Sequence, residues 1–349
     1  MAYISFKPTD NFNTKLYTGN GSTQTISGVG FQPDMTWIKD RDATEAHTLF
    51  DSPRGVTKRL YVNSNAAEST SASSLTAWNS DGFAIGSGGE VNTNNDKFVS
   101  WNWKGGTTSV PSGGSITPTA VTRNTTAGFY CAKYSGNGTD NATLAHGLGK
   151  KPNFMAVRKL NATYNFANMS TAWNDNGKIL SWTIVNSLMT DDVFGNTAAS
   201  SDYIYLNDNG YGNASGSTYV IYAWAEIPGY SKMTSYTGTG NADGPFVYCG
   251  FEPAFLMIKE TDSSSGWCMY DNKRPDSNPG YWNVNSNFLQ AQETGVESNN
   301  ANLSLDFLSN GFKIRNSAGD TNGDGNSYMV LAFANNPIVG TNETPGVAR

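Results

Sequence analysis

The chain has 349 residues, of which 38 % are hydrophobic and only 15 % charged, with a formal net charge of -6. So acidic and sparse a charge set gives no basic footprint for phosphate neutralisation, and no stretch approaches the ~18 consecutive apolar residues of a membrane span, so neither nucleic acid nor membrane insertion is expected. Aromatic residues at 12 % argue against intrinsic disorder, while 37 glycines among abundant Asn, Ser and Thr suit turns and short strands better than long helices.

At the N-terminus, MAYISFKPTDNFNTKLY has neither a basic n-region nor an apolar h-region, so no cleaved export signal is expected. A first pattern opens with Tyr17-Thr18-Gly19-Asn20-Gly21, is punctuated at Gly30-Phe31-Gln32-Pro33, and enters the apolar strand MTWIK ending at Lys39. His47 and Asp51 stand four apart in HTLFD, on one face if the run is a strand. With no GxSxG elbow or reactive Cys beside them, the pair is not read as catalytic. Asp51, Arg54 and Gly55 of DSPRG read as an Asp-Arg pair closing a sheet corner. Asp81-Gly82-Phe83 then turns toward the closing strand FVSWNWK, where Phe98, Ser100, Asn102 and Lys104 alternate with Val99, Trp101 and Trp103 as in a half-buried strand.

The Gly, Ser, Thr and Pro-rich stretch over residues 105–126 reads as a linker. Beyond it the pattern restarts at Tyr134-Ser135-Gly136-Asn137-Gly138, followed by Gly149-Lys150-Lys151-Pro152, FMAVR ending at Arg158, the turn Asn209-Gly210-Tyr211, and YVIYAWAE from Tyr219. His146, in HGLGKKP, reads as a turn histidine hydrogen-bonded locally. After the short IPGYSK a third copy brings Tyr236-Thr237-Gly238-Thr239-Gly240, Gly250-Phe251-Glu252-Pro253, FLMIK ending at Lys259, Asp271 in MYDNKRP, Asn310-Gly311-Phe312, and YMVLAFAN from Tyr328. The basic residue falls six positions past the proline in all three copies, and an aspartate eighteen past it in the first and third. YVIYAWAE and YMVLAFAN are apolar on both faces, which suits central strands. The YxGxG segments lack the Lys-Ser/Thr ending and following helix of a phosphate loop and read as strand-turn elements.

Asp320-Thr321-Asn322-Gly323-Asp324-Gly325 is the one metal-like motif: Asp320, Asn322 and Asp324 space three oxygen ligands before a turn glycine, as in the first half of a calcium loop. The twelfth position, where a bidentate carboxylate belongs, is Leu331, so a polar hairpin turn is the favoured reading and no cofactor beyond this calcium candidate is expected. Cys131, Cys249 and Cys268 are odd in number and far apart, which fits buried thiols made in a reducing cytoplasm.

These spacings predict an all-β chain of three tandem β-sandwich, jelly-roll-like units of about 100–115 residues, over 1–104, 127–227 and 228–349, the last with a C-terminal tail. YTGNG, VGFQPDMTWIKDRD, DSPRG, DGFAIG and WNWK in the first copy, YSGNG and AHGLGKKP in the second, and SYTGTGNADGPFVYCGFEPAFLMIK and DFLSNGFKIR in the third resemble a family of tandem-repeat virion structural, tail-fibre-like proteins of marine tailed bacteriophages of the cyanophage and pelagiphage type. The second copy departs most, lacking the DxxRG segment. The resemblance supplies no catalytic residues. It implies a non-enzymatic virion protein, assembled in the host cytoplasm, that serves in the tail or its fibres in host-surface attachment. Its implied partners are other virion proteins and a host-surface polysaccharide or protein, and its expected oligomer is a homotrimer. The alternatives are a capsid decoration or head-fibre protein without receptor specificity, and a polysaccharide depolymerase working through paired carboxylates.

Overall fold

Short aromatic and β-branched runs between glycine turns fold as strands throughout the computed structural model, which describes residues 6–173, 175–274 and 284–337. The C-terminal tail lies outside the described residues. The chain is all-β with antiparallel sheets, and among the described residues helices are limited to single turns.

Four strands recur in one order in three large sheets. In the first they are Phe12–Thr18, Lys97–Trp103, Met35–Asp40 and Thr48–Asp51; in the second, Phe129–Ser135, Thr218–Trp224, Phe154–Lys159 and Ala167–Ser170; in the third, Ser231–Thr237, Ser327–Pro337, Phe251–Glu260 and Trp267–Asp271. Register is also shared: Tyr17 pairs with Phe98, Tyr134 with Tyr219 and Tyr236 with Tyr328. Met35 pairs with Asp51, Phe154 with Ser170 and Phe255 with Asp271. Outside each large sheet lies a smaller one, built on the antiparallel partners Gln24–Ser27 with Gly82–Ile85, Ala142–Ala145 with Tyr203–Leu206, and Phe246–Tyr248 with Gly311–Ile314. The second copy's counterpart of Asp81-Gly82-Phe83 is therefore Asp202-Tyr203-Ile204. The expected turn Asn209-Gly210-Tyr211 instead follows the small sheet's strand, just before Asn213.

The opening motif has a physical reading at each position. A Cβ on Gly19, Gly136 or Gly238 would meet a backbone carbonyl oxygen at 2.0, 2.4 or 2.2 Å, so only glycine fits. Gly21, Gly138 and Gly240 hold φ at +66°, +66° and +62°, the left-handed region. The tyrosine rings stack on the closing strand, Tyr17 on Phe98 at 5.1 Å, Tyr134 on Tyr219 at 5.4 Å and Tyr236 on Tyr328 at 4.9 Å. Their hydroxyls donate to the carbonyls of Val91, Gly212 and Thr321.

Each large sheet is buried on both faces. In the first copy Ile38, Phe50 and Phe98 pack outward against Ile26, Phe83 and Ile85 of the small sheet. The opposite face sends Trp37, Trp101 and Trp103 into a cluster shared with Trp182 and Trp224 of the second copy and Trp267, Phe255 and Phe333 of the third. FVSWNWK is consequently buried on both faces rather than one, and its polar side chains pair inside: Thr36 Oγ1 donates to Asn102 Oδ1 at 3.0 Å, and Asn102 Nδ2 to the carbonyls of Asn13 and Ser100 at 3.1 and 3.2 Å. Ring contacts cross every seam, with Trp37 to Trp182 at 5.2 Å, Trp182 to Trp267 at 6.5 Å and Trp101 to Phe255 at 5.7 Å. The three units thus share a central core in addition to the one each holds between its own two sheets.

The same backbone bond joins each unit to the next. The N–H of Glu68 donates to the carbonyl of Leu160 at 2.9 Å, that of Leu188 to Thr261 at 2.9 Å, and that of Glu297 back to Arg41 at 2.8 Å. Each acceptor lies eight residues past its unit's proline. First to second, second to third and third to first, the bonds close a ring with approximate threefold symmetry. Part of the stretch expected as a linker belongs to this body: Thr107 bridges Arg123, Ile116 bridges Leu144, and Ala120–Asn124 pairs with Phe129–Ser135 at the edge of the second large sheet.

Candidate functional site

The candidate calcium residues sit in a single helical turn, Gly319–Asn322, and its exit. Asn322 is fully buried; its Oδ1 accepts from Thr239 N at 2.8 Å and its Nδ2 donates to the carbonyls of Asn241 and Asn316, the former at 2.7 Å. Asn92 and Asn213 do the same in the other units, their Oδ1 accepting from Asn20 N and Asn137 N at 2.8 and 2.9 Å. The asparagine is thus a clamp on the YxGxG turn. Asp324, by contrast, is exposed and Asp320 half-buried. Among the described residues no group of three or more His, Cys, Asp or Glu is placed to hold a metal ion.

His47 and His146 serve the interior. His47 is buried, with Nδ1 accepting from Trp37 Nε1 at 2.9 Å; burial, with Lys39 and Arg274 nearby, holds its pKa well below the usual histidine value. His146 accepts from Leu148 N at 3.1 Å through Nδ1, which leaves Nε2 to donate to the carbonyl of Ser200 at 3.2 Å. Burial lowers its pKa as well. This is the local turn bonding expected from HGLGKKP.

Asp51 and Arg54 form the expected corner, and Asp271 with Arg274 repeats it. Each arginine Nε donates to Oδ2 of its aspartate, at 2.5 and 2.7 Å, each arginine N–H donates to Oδ1, and each guanidinium reaches a carbonyl of the same strand, Leu49 or Met269. Both pairs are fully buried. Burial opposes the guanidinium charges, but the aspartates outweigh it and both arginine pKa values are raised. Each carboxylate is also the docking point for another unit: Tyr222 Oη donates to Asp51 Oδ2 at 2.5 Å, and Trp101 Nε1 donates to Asp271 Oδ2 at 2.9 Å. Glu68 pairs with Arg54 at 3.3 Å, while Glu297 pairs with Arg274 at 2.7 Å and with Arg41, across a seam, at 2.6 Å.

The basic residues six past the proline are buried too. Lys39 donates to the carbonyls of Asp40 and Ala43, Lys259 to those of Glu260 and Ser263, and burial lowers both pKa values to about 8. Arg158 instead crosses a seam to the carbonyls of Ser64 and Ala66, at 2.8 and 2.6 Å, with its pKa lowered by burial to about 10.

The remaining seam, between the second and third units, lacks these charges. The positions of Asp51 and Arg54 are held there by Ser170 and Trp173, the partner position of Trp101 and Tyr222 by Leu331, and that of Glu68 and Glu297 by Leu188. Trp267 Nε1 does cross this seam, to the carbonyl of Ser181 at 2.7 Å. Below the Leu188–Thr261 bond a cleft of about 390 Å³ remains open, with Trp173, Leu188 and Tyr328 inside and Ser235, Thr237, Asp262 and Ser327 around it. Sequence reading missed this site. Its signal was the second copy's Ser-x-x-Trp in place of Asp-x-x-Arg, which looked like a loss rather than a replacement.

The chain belongs to the family defined by a domain of unknown function, DUF7483, whose model matches residues 7–337. No curated protein matches the chain.

Proposed function

We propose that the chain is a non-catalytic structural protein of a phage particle, part of the tail or its fibres, that contributes to attachment to the host surface. The observation that carries this reading is the closed ring of three units, joined by a shared aromatic core and a repeated backbone bond, with buried ion pairs bracing two of its three seams. Its ionisable interior groups are spent on holding shape: Asp51, Arg54, Asp271 and Arg274 on seams and corners, and both histidines on buried hydrogen bonds. Such a body suits bearing load and presenting surface. The threefold presentation expected of a homotrimer is also available inside one chain, which supports multivalent contact without further assembly.

The experiment is binding of the labelled, purified protein to intact host cells, with a non-host strain as control. Saturable, host-specific binding is the expected result, and a natively folded protein that binds neither strain overturns attachment. The same threefold ring supports the second reading, a decoration protein at a threefold position of the capsid. That reading predicts a copy number in purified particles that scales with shell subunits, with no affinity for cells.

A further inference from the structure

We infer that the cleft between the second and third units is a binding site for a neutral sugar unit of a glycan. This rests on the attachment reading and names the class of ligand for it. The cleft exists because one seam of three is built differently. At the equivalent positions elsewhere a buried arginine fills the corner, an aspartate receives a side chain from the neighbouring unit, and in the seam between the third and first units the Arg41–Glu297 pair closes the gap. Here Trp173 replaces the arginine, Ser170 the aspartate and Leu331 the donor, while Leu188 and Thr261 stand where Glu297 and Arg41 pair. The changes at Ser170, Trp173, Leu188 and Thr261 remove charge from one seam, Leu331 removes the neutral donor, and a cleft lies open there.

The lining selects the ligand. Its volume of about 390 Å³ falls at the lower end of small-ligand sites, room for one or two sugar rings. Trp173 is half-buried, its Nε1 tied to the carbonyls of Asp175 and Lys178 at 3.2 and 3.3 Å, so the indole is held in place and offers apolar ring surface. Ser235, Thr237 and Ser327 contribute exposed hydroxyl groups. Asp262 accepts from Ser327 N at 2.6 Å through Oδ2 and from Thr261 Oγ1 at 3.3 Å through Oδ1, and each oxygen keeps a second lone pair for a ligand hydroxyl. An apolar peptide side chain would strip water from these hydroxyls without replacing its bonds. A phosphate or acidic sugar would meet Asp262 with no lysine or arginine among the described lining residues to offset it. A ring with an apolar C–H face and neutral hydroxyls satisfies both halves of the cleft.

The test is saturation-transfer NMR on the full chain with the methyl glycosides of glucose, galactose, mannose and rhamnose, and with glucose 6-phosphate and the methyl glycoside of N-acetylneuraminic acid as anionic probes. Transfer to at least one neutral glycoside is expected. Its affinity should fall about tenfold or more in Trp173→Ala, recover largely in Trp173→Phe, and fall equally in Ser235→Lys, which lays a long side chain over the cleft from an exposed strand position. The inference is overturned if no neutral glycoside shows transfer, if only the anionic probes do, or if binding is indifferent to both Trp173→Ala and Ser235→Lys while circular dichroism shows them folded. Host-cell binding that persists in both variants, with no glycoside transfer, sinks the cleft and leaves attachment standing. Glycoside binding at the cleft without host-cell binding does the reverse.

Discussion

Trp101 Nε1 donates to Asp271 Oδ2 at 2.9 Å across 170 residues of sequence, and Tyr222 Oη makes the equivalent bond to Asp51 at 2.5 Å across 171. Each aspartate also neutralises a buried arginine, so one carboxylate fixes a corner and a seam together. Asp271→Asn leaves the buried Arg274 with Glu297 as its one remaining carboxylate and should cost about 3–5 kcal/mol, with Asp51→Asn, which leaves Arg54 to Glu68, similar. Ser170→Ala at the third equivalent position removes no charge and should cost about 1 kcal/mol. Urea denaturation of the three variants measures the difference; equal losses at all three positions contradict it.

The opening glycines separate sterics from flexibility. Gly238→Ala drives a Cβ to 2.2 Å from the Gly323 carbonyl oxygen and should cost more than about 2 kcal/mol, whereas Gly319 has nothing within 4 Å of its added Cβ. Gly319→Ala should therefore leave thermal stability unchanged or raise it by up to about 1 kcal/mol. A matched loss in the two variants would mean that the close approach is relieved by backbone movement.

Asn322 carries the same clamp as Asn92 and Asn213, so alanine at each should cost a similar amount, about 1–3 kcal/mol for the buried groups left unpaired. With its Oδ1 engaged by Thr239, Asn322 is a poor calcium ligand. Exchanging EDTA for excess calcium should leave the melting temperature where it is, since a ligand that binds only the folded state would raise it. A calcium-dependent rise lost in Asp324→Ala would restore the loop as a metal site.

The three thiols are buried, and burial pushes Cys249 and Cys268 up to about 12 and Cys131 well above its usual value. The native protein at pH 8 should therefore react with none of its cysteines in a thiol-reagent assay, and with all three once denatured. Labelling of any one in the native state shows local opening of the sheet that carries it.

Acid should weaken the fold through its histidines. Both have native pKa values below the ordinary 6.5, so between that value and the lowered one the unfolded chain binds the protons and the native chain does not. Their contribution is whole above pH 6.5 and is lost as pH falls toward the native values, because protonating His47 Nδ1 would evict the Trp37 N–H. The urea midpoint should drop from pH 7 to pH 5, and less steeply in His47→Gln. A parallel drop in the variant assigns the acid limb to other groups.

The strands that carry the repeat were legible in the sequence because they hang on local devices: a glycine with no room for a Cβ, a tyrosine that stacks, a proline a fixed distance from a buried cation. The seams were not, since Val99, Trp101 and Trp103 read equally well as the core face of a single sandwich, and Ser100 and Asn102 on the other face carry no mark that it too is dry. Asn209-Gly210-Tyr211 misled because it copies the composition of a hairpin turn while the true counterpart, Asp202-Tyr203, has no glycine. Trp173 was hidden for a similar reason: its meaning lies in the arginine it replaces, which only the shared register reveals.

The Glu297–Arg41 bond has a consequence for how such a chain can change in length. An open stack of repeats can gain or lose one at an end, because its terminal units are already adapted to face water. Here the last unit docks on the first, and there is no end at which to add. Duplicating or deleting one unit would break the circuit and uncover tryptophan-lined sheet faces on both sides of the gap. Divergence within this architecture is therefore confined to loops, outer sheets and the chemistry of individual seams, with the number of units held at three.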